Sequence, residues 1–430
     1  MALQDYEQIM LRCARCSQCK WVPTQRVQSK RFSAVCPSIS RYNFHAYSGG
    51  GKINYASALL NGRVDEISDQ MLEVLYRCCA CGACDVSCKY SMDMELLEPI
   101  YELRIKAVEE GLLVPELMMT IDSLKKEDNQ MYRLKEERGN WAYGLGVKNL
   151  VEEKGDVYFH AGCRYCFDEE LWPVAREALA LLQKAGLDVG ILGKEEACCA
   201  GRAYEIGYEG ELIKFAEHTA EMLKTAGAKT LVTPCADCYM AFKVLYHRIG
   251  KKLDVEVLHV TQCLDNLIKE GRLRLTRDVP VHVTYHDPCH LGRLGEAYYE
   301  PAPTPNGEEA EAFQQVVALH KRMVEFRRGT FGIYEPPRDI LRAIPGLRLT
   351  EMERIREYAW CCGAGGGVIE SYPDFAQWTA SERIEEAQAT GADAIVTACP
   401  WCKRAFRDSL EKRGEKMEIF DVIELVQRAV

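Results

Sequence analysis

Apolar residues recur every three to four positions between residues 92 and 135, and this spacing predicts helices there. The residues that mark the apolar face are Leu96, Ile100, Leu103, Ala107 and Leu112. The polar stretch 125–139 fits either a linker or an exposed helix, and its pattern does not choose between them. We expect these helices to cover the N-terminal part of the chain and to lead into a second domain.

Four short apolar runs have the length and composition of buried strands, and they form two related pairs. Each pair opens with a run that ends at a cysteine, 156–163 in the first pair and 281–289 in the second. Each pair closes with a run that ends at C-x2-C, 228–238 and 392–402. Helical segments separate the runs, so the pattern predicts two related parallel α/β domains. Loops at the carboxyl ends of parallel strands build the sites of such folds, which places the cysteines there.

The composition is that of a globular protein, since 47% of the 430 residues are hydrophobic and 27% are charged. No apolar run reaches the roughly 20 residues of a membrane span, and the N-terminus lacks a signal-peptide pattern. The formal net charge of -10 disfavours binding to nucleic acid or anionic lipid. We therefore expect a cytoplasmic protein, and a reducing cytoplasm disfavours a disulfide framework.

Ten of the 21 cysteines form two copies of one pattern, a single cysteine, an adjacent pair and then C-x2-C. Five thiols exceed the four that complete a tetrahedral zinc site or a cubane [4Fe-4S] site, and adjacent cysteines suit an opened cluster. The first copy consists of Cys163, Cys198, Cys199, Cys235 and Cys238. The second copy consists of Cys289, Cys361, Cys362, Cys399 and Cys402.

Two further cysteine runs near the N-terminus have the spacing of bacterial two-cluster ferredoxins, in which the fourth cysteine of each run binds the other run's cluster. The predicted cubane sites are Cys13, Cys16, Cys19 and Cys88, and Cys78, Cys81, Cys84 and Cys36. Two zinc knuckles are the less favoured alternative, because zinc sites seldom place three cysteines at two-residue gaps in succession. We interpret Cys79 as a packed, nonligating thiol, and Cys166 and Cys263 as structural thiols.

A glycine-rich run, 363–367, follows the second cysteine pair. The missing side chains would let the backbone wrap a cluster or let a substrate approach, and a flexible loop is the alternative. The candidate cofactor-binding residues are Gly363, Gly365 and Gly366. The candidates for moving protons near the clusters are His160, His286, His290 and Arg293. A hydrogen-bonding role at a strand end explains each of these four equally.

Four stretches of the chain resemble the heterodisulfide reductase family, whose CCG domains hold noncubane [4Fe-4S] clusters. These stretches are YHDPCHLGR (285–293), YEPPRDIL (334–341), WCCGAGGG (360–367) and TACPWC (397–402). The resemblance covers nearly the whole chain and implies a mixed α+β and α/β fold, with an all-helical two-cluster ferredoxin-like module before two pseudosymmetric α/β CCG domains. The expected domains are 1–150, 151–275 and 276–430, the last with an insertion near 297–331 that contains an amphipathic helix at 308–327.

The resemblance also implies an iron-sulfur oxidoreductase similar to the catalytic subunit of heterodisulfide reductase. Two cubane [4Fe-4S] clusters would pass electrons to two noncubane [4Fe-4S] clusters, which would split a disulfide with the ten CCG cysteines as catalytic residues. The alternative is an electron-transfer relay in a complex with a benzoyl-CoA reductase-type, hydroxyacid-oxidising or quinone-linked membrane enzyme. The expected partners are flavin- or iron-sulfur-containing electron-donor or acceptor subunits. A structural zinc protein or redox-sensing scaffold is the third interpretation, and it leaves one cysteine over in each repeat.

Overall fold

The computed structural model describes residues 2–297 and 329–430, and the first part of the chain is helical. Its helices are α1 (Glu7–Leu11), α2 (Pro37–Tyr42), α3 (Gly49–Leu60), α4 (Asp69–Tyr76), α5 (Ala83–Met92), α6 (Leu97–Glu109) and α7 (Pro115–Glu127). Helices α6 and α7 lie in the segment whose apolar spacing predicted helices, which confirms that prediction. The polar stretch after α7 contains a 3-10 helix, Lys135–Ala142, that buries Arg138 and Trp141.

A five-stranded parallel sheet follows, with the strand order β1-β3-β2-β4-β5. Its strands are β1 (Lys148–Asn149), β2 (Val157–Phe159), β3 (Val189–Ile191), β4 (Thr230–Thr233) and β5 (Glu256–His259). The helices of this part are α8 (Cys163–Phe167), α9 (Trp172–Lys184), α10 (Gly201–Glu205), α11 (Glu209–Ala226), α12 (Ala236–Met240), α13 (Tyr246–Arg248) and α14 (Val260–Lys269). The central strands β2 and β4 are the two apolar runs that predicted strands, and both lead directly into cysteine-bearing loops.

A second parallel sheet has four strands in the order β7-β6-β8-β9. Its strands are β6 (His282–Tyr285), β7 (Arg348–Leu349), β8 (Ala394–Thr397) and β9 (Glu418–Asp421). The described helices of this part are α15 (Glu335–Ala343), α16 (Val368–Ser371), α17 (Pro373–Gln388), α18 (Pro400–Arg413) and α19 (Val422–Ala429). Strands β6 and β8 pair as β2 and β4 do, so the predicted repeat is present in the fold.

The helical part and the two α/β parts share one continuous cluster of buried apolar side chains. This arrangement confirms the predicted fold class. The helix expected at 308–327 lies outside the described residues. Within residues 2–297 and 329–430, each helix is too short or too polar to span a lipid bilayer.

Candidate iron-sulfur sites

The first ferredoxin-like site is a cavity at the surface of the helical part. Four cysteines line it, Cys13, Cys16 and Cys19 from the loop between α1 and α2, and Cys88 from α5. Gly50 approaches the same cavity, since a Cβ atom there would lie 3.4 Å from the Sγ of Cys19. The structure therefore brings together the four cysteines that the ferredoxin spacing assigned to one cluster.

A second cavity lies on the other side of the N-terminus of α3, and the cysteines that line it are Cys36, Cys78, Cys79, Cys81 and Cys84. Gly49 approaches this cavity so closely that a Cβ atom there would lie 2.8 Å from the Cβ of Cys84. The first turn of α3 thus separates the two cavities. The partial positive charge of a helix N-terminus favours the negative charge of thiolate-bound clusters on either side.

Glycines at the start of α3 were missed by the reasoning from cysteine spacing. The available signal is the triplet Gly49, Gly50 and Gly51 directly after Ser48, a residue that favours helix N-termini. The Oγ of Ser48 accepts a hydrogen bond from the amide of Gly51 at 3.0 Å and fixes the start of the helix. Sequence alone does not show that two of these glycines face cysteine clusters.

The chemistry of these thiols fits iron binding. Burial raises the pKa of Cys36 to about 12 and raises the pKa of Cys84 well above the ordinary value of a thiol. Buried thiolates without a cationic partner are unfavourable, because burial disfavours the charged form. Iron would supply that positive charge to Cys36 and Cys84. In the same site, contact with Cys361 and the nearby Arg293 guanidinium lower the pKa of Cys81 to about 5.

The third site lies at the carboxyl end of the first sheet, where the five cysteines of the first repeat meet. Side-chain contacts join Cys163 to Cys198, Cys198 to Cys199, Cys199 to Cys238, and Cys238 to Cys235. All five thiols are buried. The three loops that carry them follow β2, β3 and β4, as expected for a parallel α/β fold.

A buried arginine from the polar stretch after α7 also reaches this site. The Nη2 atom of Arg138 donates a hydrogen bond to the Sγ of Cys163 at 3.2 Å, and its Nη1 atom donates to Glu196 at 3.0 Å. Glu196 also accepts from the amide of Gly162 at 3.1 Å and from the thiol of Cys166 at 3.4 Å. Cysteine spacing could not reveal Arg138, because it lies upstream of the whole repeat. The Glu196 contact supports a structural role for Cys166.

The fourth site repeats this arrangement at the carboxyl end of the second sheet. The thiol of Cys402 donates to the Sγ of Cys362 at 3.2 Å. Further contacts join Cys361 to Cys289 and to Cys362, and Cys399 to Cys402. The five thiols of the second repeat are buried, so both repeats assemble as two compact groups of five.

Equivalent histidines follow the first strand of each repeat. His286 lies with Cys362 and Cys402 in a group whose candidate ligand atoms are all within 4.8 Å of one another. Its Nδ1 accepts a hydrogen bond from Arg383 at 3.1 Å, which leaves the proton on Nε2. Burial lowers the pKa of His160 to about 4 and also lowers the pKa of His286. Burial thus favours the neutral form of both rings.

The glycine run of the second repeat lies against the helical part. A Cβ atom at Gly365 would lie 2.6 Å from the carbonyl oxygen of Cys79, and one at Gly366 would lie 2.6 Å from that of Cys78. A side chain at Gly363 would collide with the backbone of α17, and its φ of +93° also favours glycine. The run thus permits close backbone packing between the second CCG site and the second ferredoxin-like site.

The two five-cysteine sites meet at the boundary between the α/β parts. The thiols of Cys235 and Cys399, the first cysteines of the two C-x2-C motifs, are in contact with each other. Beside them, His290 bridges the repeats, with Nδ1 2.6 Å from Asp237 and Nε2 2.7 Å from Glu205. Although burial opposes it, these two carboxylates raise the pKa of His290 well above its ordinary value.

Comparison with known proteins agrees with this architecture. The cysteine-rich CCG domain matches the chain twice, at residues 157–243 and 323–407. A subunit of the dihydromethanophenazine:CoB--CoM heterodisulfide reductase of Methanosarcina mazei is 30% identical over 97% of this chain and 93% of its own length. The EtfAB:quinone oxidoreductase of Syntrophomonas wolfei is 28% identical over 83% of this chain and 47% of its own length. A subunit of the CoM/CoB fumarate reductase of Methanothermobacter marburgensis is 28% identical over 93% of this chain and 71% of its own length.

A solved structure of a hypothetical protein from Helicobacter pylori has a similar fold. The two structures superpose over 98% of this chain and 76% of the Helicobacter pylori chain, with a TM-score of 0.55 and 10% sequence identity. The paired CCG domains and the four groups of cysteines define an iron-sulfur oxidoreductase. With 30% identity to the Methanosarcina mazei protein across nearly the full length of both, the chain belongs to the heterodisulfide reductase family. Several of its relatives are named as subunits of larger redox enzymes.

Proposed function

We propose that this protein passes electrons from two cubane [4Fe-4S] clusters to two noncubane [4Fe-4S] clusters, where a disulfide is reduced to two thiols. The observation that carries the proposal is the contact between Cys235 and Cys399. This contact makes the two five-cysteine sites neighbours, so one disulfide could reach both. The Methanosarcina mazei relative is named for the reduction of a heterodisulfide, which agrees with this chemistry.

The proposed ligands follow the four groups of thiols. The cubane ligands are Cys13, Cys16, Cys19 and Cys88 for one cluster, and Cys36, Cys78, Cys81 and Cys84 for the other. The noncubane ligands are Cys163, Cys198, Cys199, Cys235 and Cys238 in one CCG domain, and Cys289, Cys361, Cys362, Cys399 and Cys402 in the other. The proposed domain limits are 1–150, 151–275 and 276–430, although the edge strand β1 already pairs with the first sheet before residue 150.

The reaction consumes two electrons and two protons for each disulfide and yields two thiols. Clusters, when bound, would supply the electrons one at a time. The protein would hold the thiolates in place, and buried arginines such as Arg138 would offset part of their negative charge. The ten CCG thiols are buried, so their surroundings exclude bulk water and strengthen these electrostatic interactions.

One observation favours a second candidate function, that of an electron-transfer relay within a complex of flavin- or iron-sulfur-containing subunits. Cys16 of the first ferredoxin-like site is exposed, whereas the most exposed CCG cysteine, Cys289, is only 9% accessible. Among the described residues, the ferredoxin-like site is thus open to a redox partner while the CCG thiols are covered. A relay needs only the exposed ferredoxin-like site, whereas a disulfide reductase also needs a path from solvent to the CCG site.

Iron, acid-labile sulfide and zinc content of protein purified without oxygen tests both candidates. About 16 iron atoms per chain would support four [4Fe-4S] clusters, and Mössbauer spectra would separate cubane from noncubane iron. Reduced viologen is then offered with organic disulfides to wild type, to Cys399→Ser and to the control Cys263→Ser, whose thiol is buried in α14. We expect disulfide reduction that only Cys399→Ser abolishes. Four clusters without disulfide reduction would support the relay, and about 8 iron atoms or stoichiometric zinc would contradict the CCG assignment.

A further inference from the structure

Cys79 belongs to the helical part in sequence and lies between the second ferredoxin-like cavity and the second CCG site in space. Its thiol is 3% exposed and packs in one group of buried side chains with Cys289 and Cys361. The thiols of Cys79 and of Cys81 both contact the thiol of Cys361, and only Cys81 is needed by the cubane set. Cys79 is also additional to the four cysteines that complete the neighbouring cubane set, so its proximity to the CCG thiols needs its own explanation.

The loop that carries Cys79 is held against the second CCG domain from two sides. Arg293 follows β6 and donates hydrogen bonds from Nε to the carbonyl oxygen of Cys81 and from Nη1 to that of Ala359 at 2.7 Å. On the other side, Gly365 packs directly against the carbonyl oxygen of Cys79. A Cβ atom at Gly365 would lie 2.6 Å from that oxygen, so no side chain fits there. These contacts place the thiol in a rigid setting, as metal ligands require.

Cys166, the additional cysteine beside the first CCG site, provides a contrast. Cys166 lies close to Cys163 in sequence, but its thiol donates a hydrogen bond to the carboxylate of Glu196 at 3.4 Å. Cys79 instead contacts a thiol of the adjacent cluster site. A carboxylate partner explains a structural thiol, whereas a group of thiols is the environment of an iron ligand.

We propose that Cys79 supplies a sixth thiolate ligand to the iron cluster of the second CCG site. This inference rests on the proposed function, because it requires a cluster on Cys289, Cys361, Cys362, Cys399 and Cys402. On binding, the Cys79 thiol loses its proton to solvent and its sulfur bonds to iron, without change in the number of electrons. The second cubane and the second CCG cluster are then joined through the single peptide bond between Cys78 and Cys79, which favours this CCG cluster as the first to exchange electrons with the ferredoxin-like module.

Mössbauer and EPR spectra of full-length, anaerobically purified variants test the proposal. All variants carry Cys198→Ser, which disables the first CCG site and leaves a single noncubane component of about four iron atoms. Cys79→Ala is compared with Cys263→Ala, which removes another buried thiol, from α14. We expect Cys79→Ala to shift or remove the noncubane component while the cubane components keep their intensity, and Cys263→Ala to change neither. Cys79→Ser preserves the side-chain size and replaces the alanine variant if that variant fails to fold.

Noncubane spectra that superpose on those of the Cys263→Ala control would overturn the proposal, as would selective loss of a cubane component. The variant Cys399→Ser is measured in parallel to separate this inference from the proposed function. If Cys399→Ser also leaves the iron content and spectra unchanged, the second CCG site holds no cluster and the proposed function itself fails. If Cys399→Ser removes a component that Cys79→Ala leaves intact, only the role of Cys79 is rejected.

Discussion

Arg104 of α6 donates a hydrogen bond from Nη2 to the carbonyl oxygen of Cys78 at 2.8 Å. The same nitrogen donates to Leu75 at 2.8 Å, and Nη1 donates to the carbonyl oxygens of Glu205 at 2.7 Å and Gly366 at 3.1 Å. The side chain is fully buried. One guanidinium group therefore joins the loop of the second ferredoxin-like site to both CCG domains.

Replacing Arg104 with lysine should weaken this junction. Lysine keeps the positive charge but cannot reproduce the planar fork that reaches four carbonyl groups at once. Loss of two or more charge-assisted hydrogen bonds should lower the free energy of unfolding by about 3 kcal/mol or more, measured by anaerobic urea titration. Arg272→Lys is the control, because Arg272 is partly exposed. Among the described residues its hydrogen bonds go to the carbonyl of Ala185, and it forms a surface ion pair with Glu270 at 3.7 Å. Equal stability of the two variants would show that Arg104 does not hold the domains together.

Arg138→Met should damage the first CCG site selectively. The variant removes the hydrogen bond to Cys163 and leaves the buried carboxylate of Glu196 without its guanidinium partner, at a cost of about 3–5 kcal/mol. The double variant Arg138→Met/Glu196→Gln should recover part of this stability, because no buried charge remains unpaired. Unfolding midpoints and low-temperature EPR spectra check both effects. Two variants of equal stability would argue against a strong Arg138–Glu196 pair.

Gly49→Ala should disrupt the second ferredoxin-like site through steric overlap. The added methyl group would lie 2.8 Å from the Cβ of Cys84, so the cysteine or the helix must move. We expect a loss of about four iron atoms, the content of one cubane cluster, with the CCG spectra preserved. Gly210→Ala in α11 is the matched control, since a Cβ atom at that helical glycine meets nothing within 4 Å. Unchanged iron content in Gly49→Ala would contradict the assigned site.

We expect the buried carboxyl group of Asp421 to make the stability of the protein depend on pH. Burial raises the pKa of Asp421 to about 7, whereas the pKa of an aspartate in the unfolded chain is about 3.9. The folded state therefore holds the proton more tightly than the unfolded state. Its contribution to stability is fully present below about pH 4 and is lost as the pH rises through about 7.

Asp421→Asn removes this titration while keeping an oxygen for the helix N-terminus, where Oδ1 of Asp421 accepts from the amide of Ile423 at 3.0 Å. Between pH 6 and pH 8, wild type should lose about 1.4 kcal/mol of stability relative to the variant. Anaerobic urea unfolding of both proteins at several pH values measures the difference. A constant difference across this range would show that Asp421 stays ionised in the folded protein.

Cysteine spacing alone predicted the two ferredoxin-like groups and the two groups of five. This was possible because metal ligands on one loop must occur at short, regular intervals, and the strands that deliver the CCG cysteines are apolar and repeated. The ferredoxin pattern assigned Cys88 to the first group and Cys36 to the second. The residues that line the two cavities agree with this exchange. The repeated spacing was sufficient to group the cysteines, even though each ferredoxin-like site takes its fourth cysteine from a distant part of the chain.

The tertiary structure decided the relations between motifs that lie far apart in the chain. Arg138 reaches Cys163 from the preceding part, and Cys79 contacts Cys361 of the second CCG domain. Spacing carries no information about such contacts, because the packing of whole domains determines them. The sequence by itself therefore determined which cysteines form groups, and only the folded chain determined that Cys235 and Cys399 bring two of those groups together.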